Sequence, residues 1–285
     1  MPPYIPQGCK PLNTITQRPQ IRVGLQGEPK VGKTFNACTF PNPIVCNFDR
    51  GLGAHIGRAD VVEVPFYDGA FCDTIVKRDG IKAPPNKKDS LRLWLTTEAL
   101  KLTAEQTLVV DGNTSIQAAF ETQYNLNPYI GKSGKVDERA IWGEKITYFG
   151  ELCDYFKALT CDVIYICHEI PDRSDTGELN GRVRPLMSGQ FGDQLSSHFT
   201  DWFRCHAITK PVDEVSFNRI KLFLGCTEQY LKELVKEFPT GTMYLWQTKP
   251  DSMAKCASST MLNAPKFIPA NYTSLLKYAR KISQS

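Results

Sequence analysis

Residues 21–39 read IRVGLQGEPKVGKTFNACT, and they carry the strongest indication of the fold. Residues 27–34 match the pattern Gly-x-x-x-x-Gly-Lys-Thr, which is typical of loops that bind nucleotide phosphates. Ile21–Leu25 predicts a strand before the loop, and Phe35–Thr39 predicts the start of a helix after it. Because the pattern lies between a strand and a helix, as its chemistry requires, we interpret it as a phosphate-binding loop (Walker A motif).

The loop offers two functional side chains and a set of backbone N–H groups. We expect Lys33 to contact the β- and γ-phosphates of ATP and the Thr34 hydroxyl to ligate Mg²⁺. The glycines let the backbone N–H groups turn toward a phosphate, and the helix start adds its positive end. The predicted nucleotide-binding residues are Gly27, Glu28, Pro29, Lys30, Val31, Gly32, Lys33, Thr34 and Phe35.

A second metal ligand is predicted at Asp111. The preceding residues, Thr107–Val110, favour a buried strand. Such a strand ends at the carboxyl edge of a parallel sheet, where the phosphate loop also lies. We therefore expect Asp111 (Walker B position) to hold Mg²⁺ together with Thr34, directly or through water.

Hydrolysis also needs a group that positions or deprotonates water, and three acidic residues are candidates. Asp49 follows the strand predicted over Ile44–Phe48 and is the first of them. Glu28 lies inside the loop and is the second, and Glu169 is the third. The choice among them depends on the geometry of attack, which the sequence does not give.

His168 and Glu169 follow the strand predicted over Asp162–Cys167. A polar side chain in this position can sense the γ-phosphate and pass the nucleotide state to the next loop. The polar segment Asp172–Arg184, which we interpret as a mobile loop, is therefore a candidate moving element.

Strands and helices alternate over residues 21–170, which favours one α/β domain with a mainly parallel sheet. We place an extended arm at 1–20, the core at 21–208 and an appendage at 209–285. The core is also predicted to contain a strand (Val61–Val64), two loops (Gly69–Lys88 and the flexible, basic Leu126–Asp137) and three helices (Ser90–Lys101 with Ser90 as N-cap, Ser115–Gln123, and amphipathic Arg139–Leu159). Toward the C-terminus we predict an antiparallel pair (Trp202–Ile208 with Phe217–Leu224), a helix (Glu228–Glu237), a strand (Met243–Gln247) and a closing helix (Pro265–Lys281).

The composition is that of an ordinary globular protein. Hydrophobic residues make up 41 % and charged residues 22 % of the 285, with a formal net charge of +4. These values exclude a disordered chain or a coiled coil. Without a signal-peptide core or a membrane span of about 20 apolar residues, we expect a soluble, cytoplasmic protein with no membrane partner. The ten cysteines form no Cys-x-x-Cys pair, so buried reduced thiols are expected.

Taken together, these motifs resemble the phage-encoded RecA-like ATPases often labelled as an AAA domain, which include the single-strand annealing recombinases of the Sak four type. The resemblance covers residues 20–275. It is carried by the loop at 27–34, by Phe48-Asp49-Arg50-Gly51, by Thr107–Asp111, by Trp142-Gly143, by Ile166-Cys167-His168-Glu169 and by Trp246-Gln247-Thr248-Lys249-Pro250.

The resemblance implies a RecA-like core, ATP with Mg²⁺, and assembly into a ring or filament with nucleotide between subunits. It also implies single-stranded DNA as partner, with a phage or host single-strand-binding protein as a further one. A neighbour's cation can stabilise the transition state in such assemblies, and Lys249 and Lys255 are the candidates here. RecA proteins carry a glutamate at the position of Gly51, so the family's usual base is missing and hydrolysis is expected to be slow unless Asp49 replaces it.

We expect an ATP-dependent single-strand binder that anneals or exchanges strands, with basic loops at Lys82–Arg92, Lys132–Lys135 and Arg182–Arg184. Three alternatives share the same core: a duplex DNA motor or packaging-type ATPase, a nucleotide-gated binding module with weak hydrolysis, and a P-loop kinase. The kinase alternative rests on arginines in Asp172–Arg184 that resemble a lid over the phosphates.

Overall fold

The structure is a computed structural model that describes residues 20–78, 87–126, 130–131, 134–173, 179–187, 191–261 and 263–279. The predicted arm lies almost entirely outside these residues. Within them the strands are β1 Arg22–Gly27, β2 Pro43–Asn47, β3 Val62–Pro65, β4 Thr107–Asp111, β5 Asp162–Arg173, β6 Leu179–Pro185, β7 Asp201–Thr209, β8 Thr242–Gln247, β9 Ala257–Ser258 and β10 Phe267–Pro269. The helices are α1 Lys33–Ala37, α2 Gly69–Arg78, α3 Lys87–Thr97, α4 Asn113–Leu126, α5 Glu138–Ala158, α6 Phe191–Gln194, α7 Glu214–Leu224, α8 Glu228–Lys236 and α9 Tyr272–Ala279.

One twisted sheet organises the chain. Six strands run parallel in the order β3-β2-β4-β5-β1-β7. The strand β8 then pairs antiparallel with β7, and β10 pairs antiparallel with β8. The predicted α/β class is therefore confirmed, including an antiparallel strand pair near the C-terminus. The last two strands come from beyond residue 208 and extend the same sheet.

Apolar side chains fill both faces of the sheet, because helices cover it on both sides. In β5, Val163 and Tyr165 pack into the cluster beneath α3, α4 and α5. The alternate residues Ile164 and Ile166 pack into a second cluster that includes residues of α1 and α9. This alternation explains the uninterrupted apolar run that predicted the strand.

The segment Gly69–Lys88 is not a loop in its described part, since α2 spans its first ten residues and α3 begins at Lys87, while residues 79–86 lie outside that part. Cys72 and Ile75 of α2 enter the core with helical spacing, which stabilises the helix despite the glycine at its start. Ser90 is not an N-cap. It lies buried within α3, next to the buried Leu91, because the helix already begins at Lys87.

The segment Phe217–Leu224 is helix α7 and not a strand. Asp213 and Ser216 form a reciprocal capping box at its start, and Gly225 ends it in the left-handed conformation. Ile220 and Leu224 face the core one helical turn apart. The antiparallel partner of β7 is β8 instead.

The predicted mobile loop Asp172–Arg184 belongs to a β-hairpin, since β5 continues through Arg173 and β6 returns antiparallel to it. Residues 174–178 lie outside the described part. The predicted closing helix begins later, at Tyr272, because Phe267–Pro269 forms β10. In the predicted basic loop Leu126–Asp137, Leu126 ends α4 and Ile130 forms a bridge with Val136.

The apolar stripe predicted on α5 is buried only in its second half. Phe149, Leu152 and Phe156 lie in the core, whereas Trp142 and Ile146 are 43 % and 40 % exposed. Of the cysteines in the described part of the chain, eight are buried, one is half-buried and all are free thiols.

His206 on β7 makes stability depend on pH. Its Nε2 atom lies 3.1 Å from the Gln247 Oε1 atom, and its ring packs edge-on against Phe223 and Phe267. Burial lowers the pKa of His206 to about 4, whereas an unfolded histidine titrates near 6.5. The unfolded chain therefore binds an extra proton as pH falls from about 6.5 to about 4, and the free energy of unfolding is expected to drop by about 3 kcal/mol.

Urea unfolding of the wild type and His206→Gln across this pH range tests the expectation. The variant lacks this proton uptake, so its unfolding free energy should fall less steeply toward acid pH. Parallel curves for the two proteins would contradict it.

Candidate functional site

The segment Gly27–Thr34 turns sharply between β1 and α1. Lys30 and Gly32 have positive φ angles of 67° and 78°, in the left-handed region. A Cβ atom added to Gly32 would lie 2.7 Å from the ring of Tyr244 on β8. Position 32 therefore requires glycine, both for its conformation and for the space that it leaves to the aromatic ring.

Lys33 is buried under this loop. Its Nζ atom donates to the Gly27 oxygen at 2.9 Å and the Glu28 oxygen at 2.7 Å, and lies 3.4 Å from the His168 Nδ1 atom. Burial lowers the pKa of Lys33, an effect that Cys205, Cys167 and Asp111 oppose. The ammonium is thus held by carbonyl oxygens of the loop, contacts that the oxygens of a phosphate can replace.

Thr34 and Asp111 meet although 77 positions separate them. The Thr34 hydroxyl donates to the Asp111 Oδ2 atom at 2.6 Å. Burial raises the pKa of Asp111, and the hydrogen bond from Thr34 opposes that rise. A hydroxyl and a carboxylate are hard oxygen donors of the kind that Mg²⁺ prefers, so these two residues fit a magnesium ion.

Asp49 completes a group of acidic and hydroxyl side chains at this edge. The Ser115 hydroxyl donates to its Oδ1 atom, and the charge of Asp49 further raises the pKa of Asp111. Gly112 makes the close approach possible. It has a φ of 120°, and a Cβ there would lie 2.7 Å from the Phe48 Cβ atom and 3.3 Å from an Asp49 oxygen.

His168 lies on β5 directly opposite Gly27 of β1. Burial lowers its pKa, and the charge of Lys33 lowers it further, so the imidazole is held in its neutral form near neutral pH. Its main-chain oxygen accepts a hydrogen bond from Leu186 N at 2.7 Å, which ties the end of the β5–β6 hairpin to the site.

Glu169, the next residue, faces away from the loop toward Arg204 on β7. The Nε and Nη2 atoms of Arg204 donate to its two carboxylate oxygens at 2.9 and 2.8 Å. The two side chains are 3 % and 12 % exposed, so this is a buried, two-pronged ion pair.

Breaking this pair is expected to destabilise the protein strongly. Arg204→Met leaves the Glu169 carboxylate buried without a cation, which costs about 3–5 kcal/mol of unfolding free energy. The double variant Glu169→Gln/Arg204→Met should recover most of that loss, as urea unfolding would show. As control, Lys232→Met removes one partner of the exposed pair with Glu228 and should cost less than about 1 kcal/mol. A cost this small for Arg204→Met would contradict the prediction.

The side chains of the remaining predicted residues form none of the contacts described above. Glu28, Pro29 and Lys30 are exposed in the loop, and Val31 is half-buried. Phe35 is 48 % exposed, with its ring stacked on His55 at a centroid distance of 5.7 Å. Lys249 and Lys255 are exposed beyond the end of β8.

Three residues near the site were not identified from the sequence: Ser115, Arg204 and Tyr244. Arg204 had a usable signal, because a charged residue inside the apolar run Trp202–Cys205 implies a buried partner. Ser115 and Tyr244 are brought to the site by the sheet order and carry no local signal.

Comparison with known proteins gives a family and a distant structural likeness. A family model described as an AAA domain matches residues 20–233. No curated protein matches the chain. Among solved structures, the assembled ATPase EscN, in complex with its central stalk EscO from the type III secretion system of enteropathogenic E. coli, is 13 % identical with a TM-score of 0.40. The match covers 93 % of this chain and 52 % of that one, so the chain spans about half the length of EscN.

Within the described residues, no helix has both the length and the apolar character needed to cross a bilayer.

Proposed function

Because the chain belongs to the AAA domain family, we propose that it hydrolyses ATP with Mg²⁺ and that its nucleotide state controls binding of single-stranded DNA, for strand annealing or recombination. The loop at 27–34 with its buried Lys33 supports the nucleotide part. The β5–β6 hairpin, which starts beside Lys33 and carries Arg182 and Arg184 on its returning strand, supports the DNA part.

In the proposed reaction Lys33 exchanges the loop carbonyls for oxygens of the β- and γ-phosphates. Thr34 and Asp111 would hold Mg²⁺, which neutralises charge on the phosphates. We assign to Asp49 the positioning of the attacking water. The orientation of the Asp49 side chain is fixed by the hydrogen bond from Ser115. Glu169 is less suited to this role, since Arg204 occupies both of its carboxylate oxygens.

The observation that carries the DNA part is the continuity of β5. This strand passes Lys33 at His168 and continues to Arg173 in the hairpin with β6, whose pairing register shifts between Pro171 and Arg173. The returning strand carries Arg182 and Arg184. A change at His168 when the γ-phosphate binds or leaves would therefore move the strand that carries these two arginines.

Assembly is a further part of the proposal. Lys249 and Lys255 are exposed and so are available to a neighbouring copy of the chain. We assign to one of them the stabilisation of a neighbour's transferring phosphate, in a ring or filament with nucleotide between subunits.

Fluorescence anisotropy with a labelled 30-nucleotide dT strand tests the coupling. We expect affinities at least about tenfold apart between the ATP-bound and ADP-bound protein, a typical size for coupling between two sites. Lys33→Ala should show no difference between the two nucleotides. Equal affinity of the wild type in both states would contradict the proposed coupling, and a preference for duplex of the same length would favour the DNA motor instead.

A further inference from the structure

A cavity of about 310 Å³ lies between the β5–β6 hairpin and residues 251–255, and Gln26 of β1 lines it. We call it the hairpin cleft, and define it by Gln26, Asp172, Arg182, Arg184, Asp251 and Lys255. Its two walls are joined, because Val183 N donates to Met253 O at 2.7 Å and Val183 forms a bridge with Ala254.

Gln26 forms part of the floor of the hairpin cleft and is 1 % exposed. Its Oε1 atom accepts a hydrogen bond from Trp202 Nε1 at 2.8 Å. An indole N–H can only donate, so this contact fixes which end of the amide is oxygen. The Nε2 atom is buried, and no described residue accepts from it. A buried amide donor without a partner requires an acceptor, which a ligand in the cleft would supply.

The charges in the cleft also favour an acceptor. Both acidic residues are already paired, Asp172 with Arg184 at 3.4 Å and Asp251 with Lys266 at 2.9 Å. Arg182 and Lys255 form no ion pair within 4 Å with any described residue, although the charge of Arg182, like that of Arg184, lowers the pKa of Asp172. Two cations and one amide donor therefore remain for a ligand, a donor set suited to an oxyanion and not to a cation or an apolar group.

We propose that the hairpin cleft binds a phosphate group, namely a backbone phosphate of single-stranded DNA. This identification of the strand rests on the proposed function. Gln26 directly precedes Gly27, whose oxygen accepts from Lys33, so the two phosphate sites lie on consecutive residues of β1. A DNA phosphate in the cleft and a nucleotide phosphate on the loop would then be coupled through that strand.

Binding of a fluorescein-labelled 20-nucleotide dT strand, without nucleotide and at low salt, tests the assignment. Arg182→Ala/Lys255→Ala should weaken binding at least about tenfold and reduce the slope of log affinity against log salt by about 1–2. The control Lys232→Ala/Lys236→Ala makes the same charge change on exposed positions of α8 and should weaken it less than about twofold. Gln26→Glu keeps the oxygen that accepts from Trp202 but replaces the amide donor with a carboxylate oxygen. This variant should also weaken binding of the dT strand at pH 8.

A second experiment tests whether the cleft binds a phosphate of DNA or of a small ligand. Its result does not depend on the DNA part of the proposed function. Binding of dTMP to Lys33→Ala, whose loop site is disabled, is followed by ³¹P line broadening. If dTMP broadens in Lys33→Ala, if adding Arg182→Ala/Lys255→Ala removes the broadening, and if the dT strand does not bind in the cleft, the cleft binds a small phosphorylated ligand and not DNA. If the wild type binds the dT strand and the cleft variants bind it equally well, the cleft assignment is overturned while the function stands. If the wild type does not bind the dT strand and Lys33→Ala does not bind dTMP, both the DNA part of the function and the cleft assignment are overturned.

Discussion

Lys33→Ala is expected to lower the rate of ATP hydrolysis by about 10²–10³-fold, the cost of removing one preorganised charged donor from a phosphoryl-transfer site. The variant loses the ammonium that the Gly27 and Glu28 oxygens now hold in place. Steady-state phosphate release at saturating ATP and Mg²⁺ measures the effect. Nucleotide-dependent changes in assembly and DNA binding should disappear with it.

Two checks separate this loss from a folding defect. The thermal unfolding midpoint of Lys33→Ala should stay close to that of the wild type, because the change removes a buried charge and leaves a small apolar side chain. Lys232→Ala, which removes an exposed lysine from α8, should hydrolyse ATP normally. Normal hydrolysis by Lys33→Ala itself would refute the assignment of the phosphate-binding loop.

Asp111→Asn is expected to uncouple nucleotide binding from magnesium. The substitution keeps the size of the side chain and an oxygen for the Thr34 hydroxyl, but it removes the charge that a divalent cation requires. Affinity for ATP without metal should change less than about threefold, the gain in affinity on adding Mg²⁺ should be lost, and hydrolysis should fall by about 100-fold or more.

Fluorescent-nucleotide titrations with and without Mg²⁺ measure this split. Asp154→Asn, an exposed carboxylate on α5, is the matched control and should behave as the wild type does. An undiminished effect of Mg²⁺ on the affinity of Asp111→Asn would remove that residue from the metal site.

The sequence predicted the centre of the fold because the signals there are local. The strands β1, β2, β4 and the first half of β5 are short apolar runs, and each is followed within two residues by the phosphate loop or ends in or near a polar residue that we singled out. Parallel pairing then brings those ends to one edge of the sheet, as in the 2.6 Å contact between Thr34 and Asp111.

The errors arose where tertiary contacts override local pattern. The segment Phe217–Leu224 has the composition of a strand, but the capping box at Asp213 and the core contacts of Ile220 and Leu224 make it a helix. The polar residues of β6 suggested a loop, yet antiparallel pairing with β5 holds them in a strand.

Two features of the site depend on distant parts of the chain and had no local pattern. Arg204 reaches Glu169 because β7 and β5 lie on either side of β1. Gln26 is buried next to the loop by Trp202, which occupies the space that a side chain at Gly24 would fill. Both arrangements follow from the sheet order, which the sequence does not specify.

Steady-state ATP hydrolysis by the purified protein, with and without single-stranded DNA at low salt, is the decisive measurement of the proposed activity. We expect Mg²⁺-dependent hydrolysis that single strands stimulate, that Lys33→Ala lowers by about 10²–10³-fold and that Asp49→Asn reduces strongly. This expectation would be contradicted if single-stranded DNA changed neither hydrolysis nor assembly, and most of all if the wild type and Lys33→Ala released phosphate at the same rate.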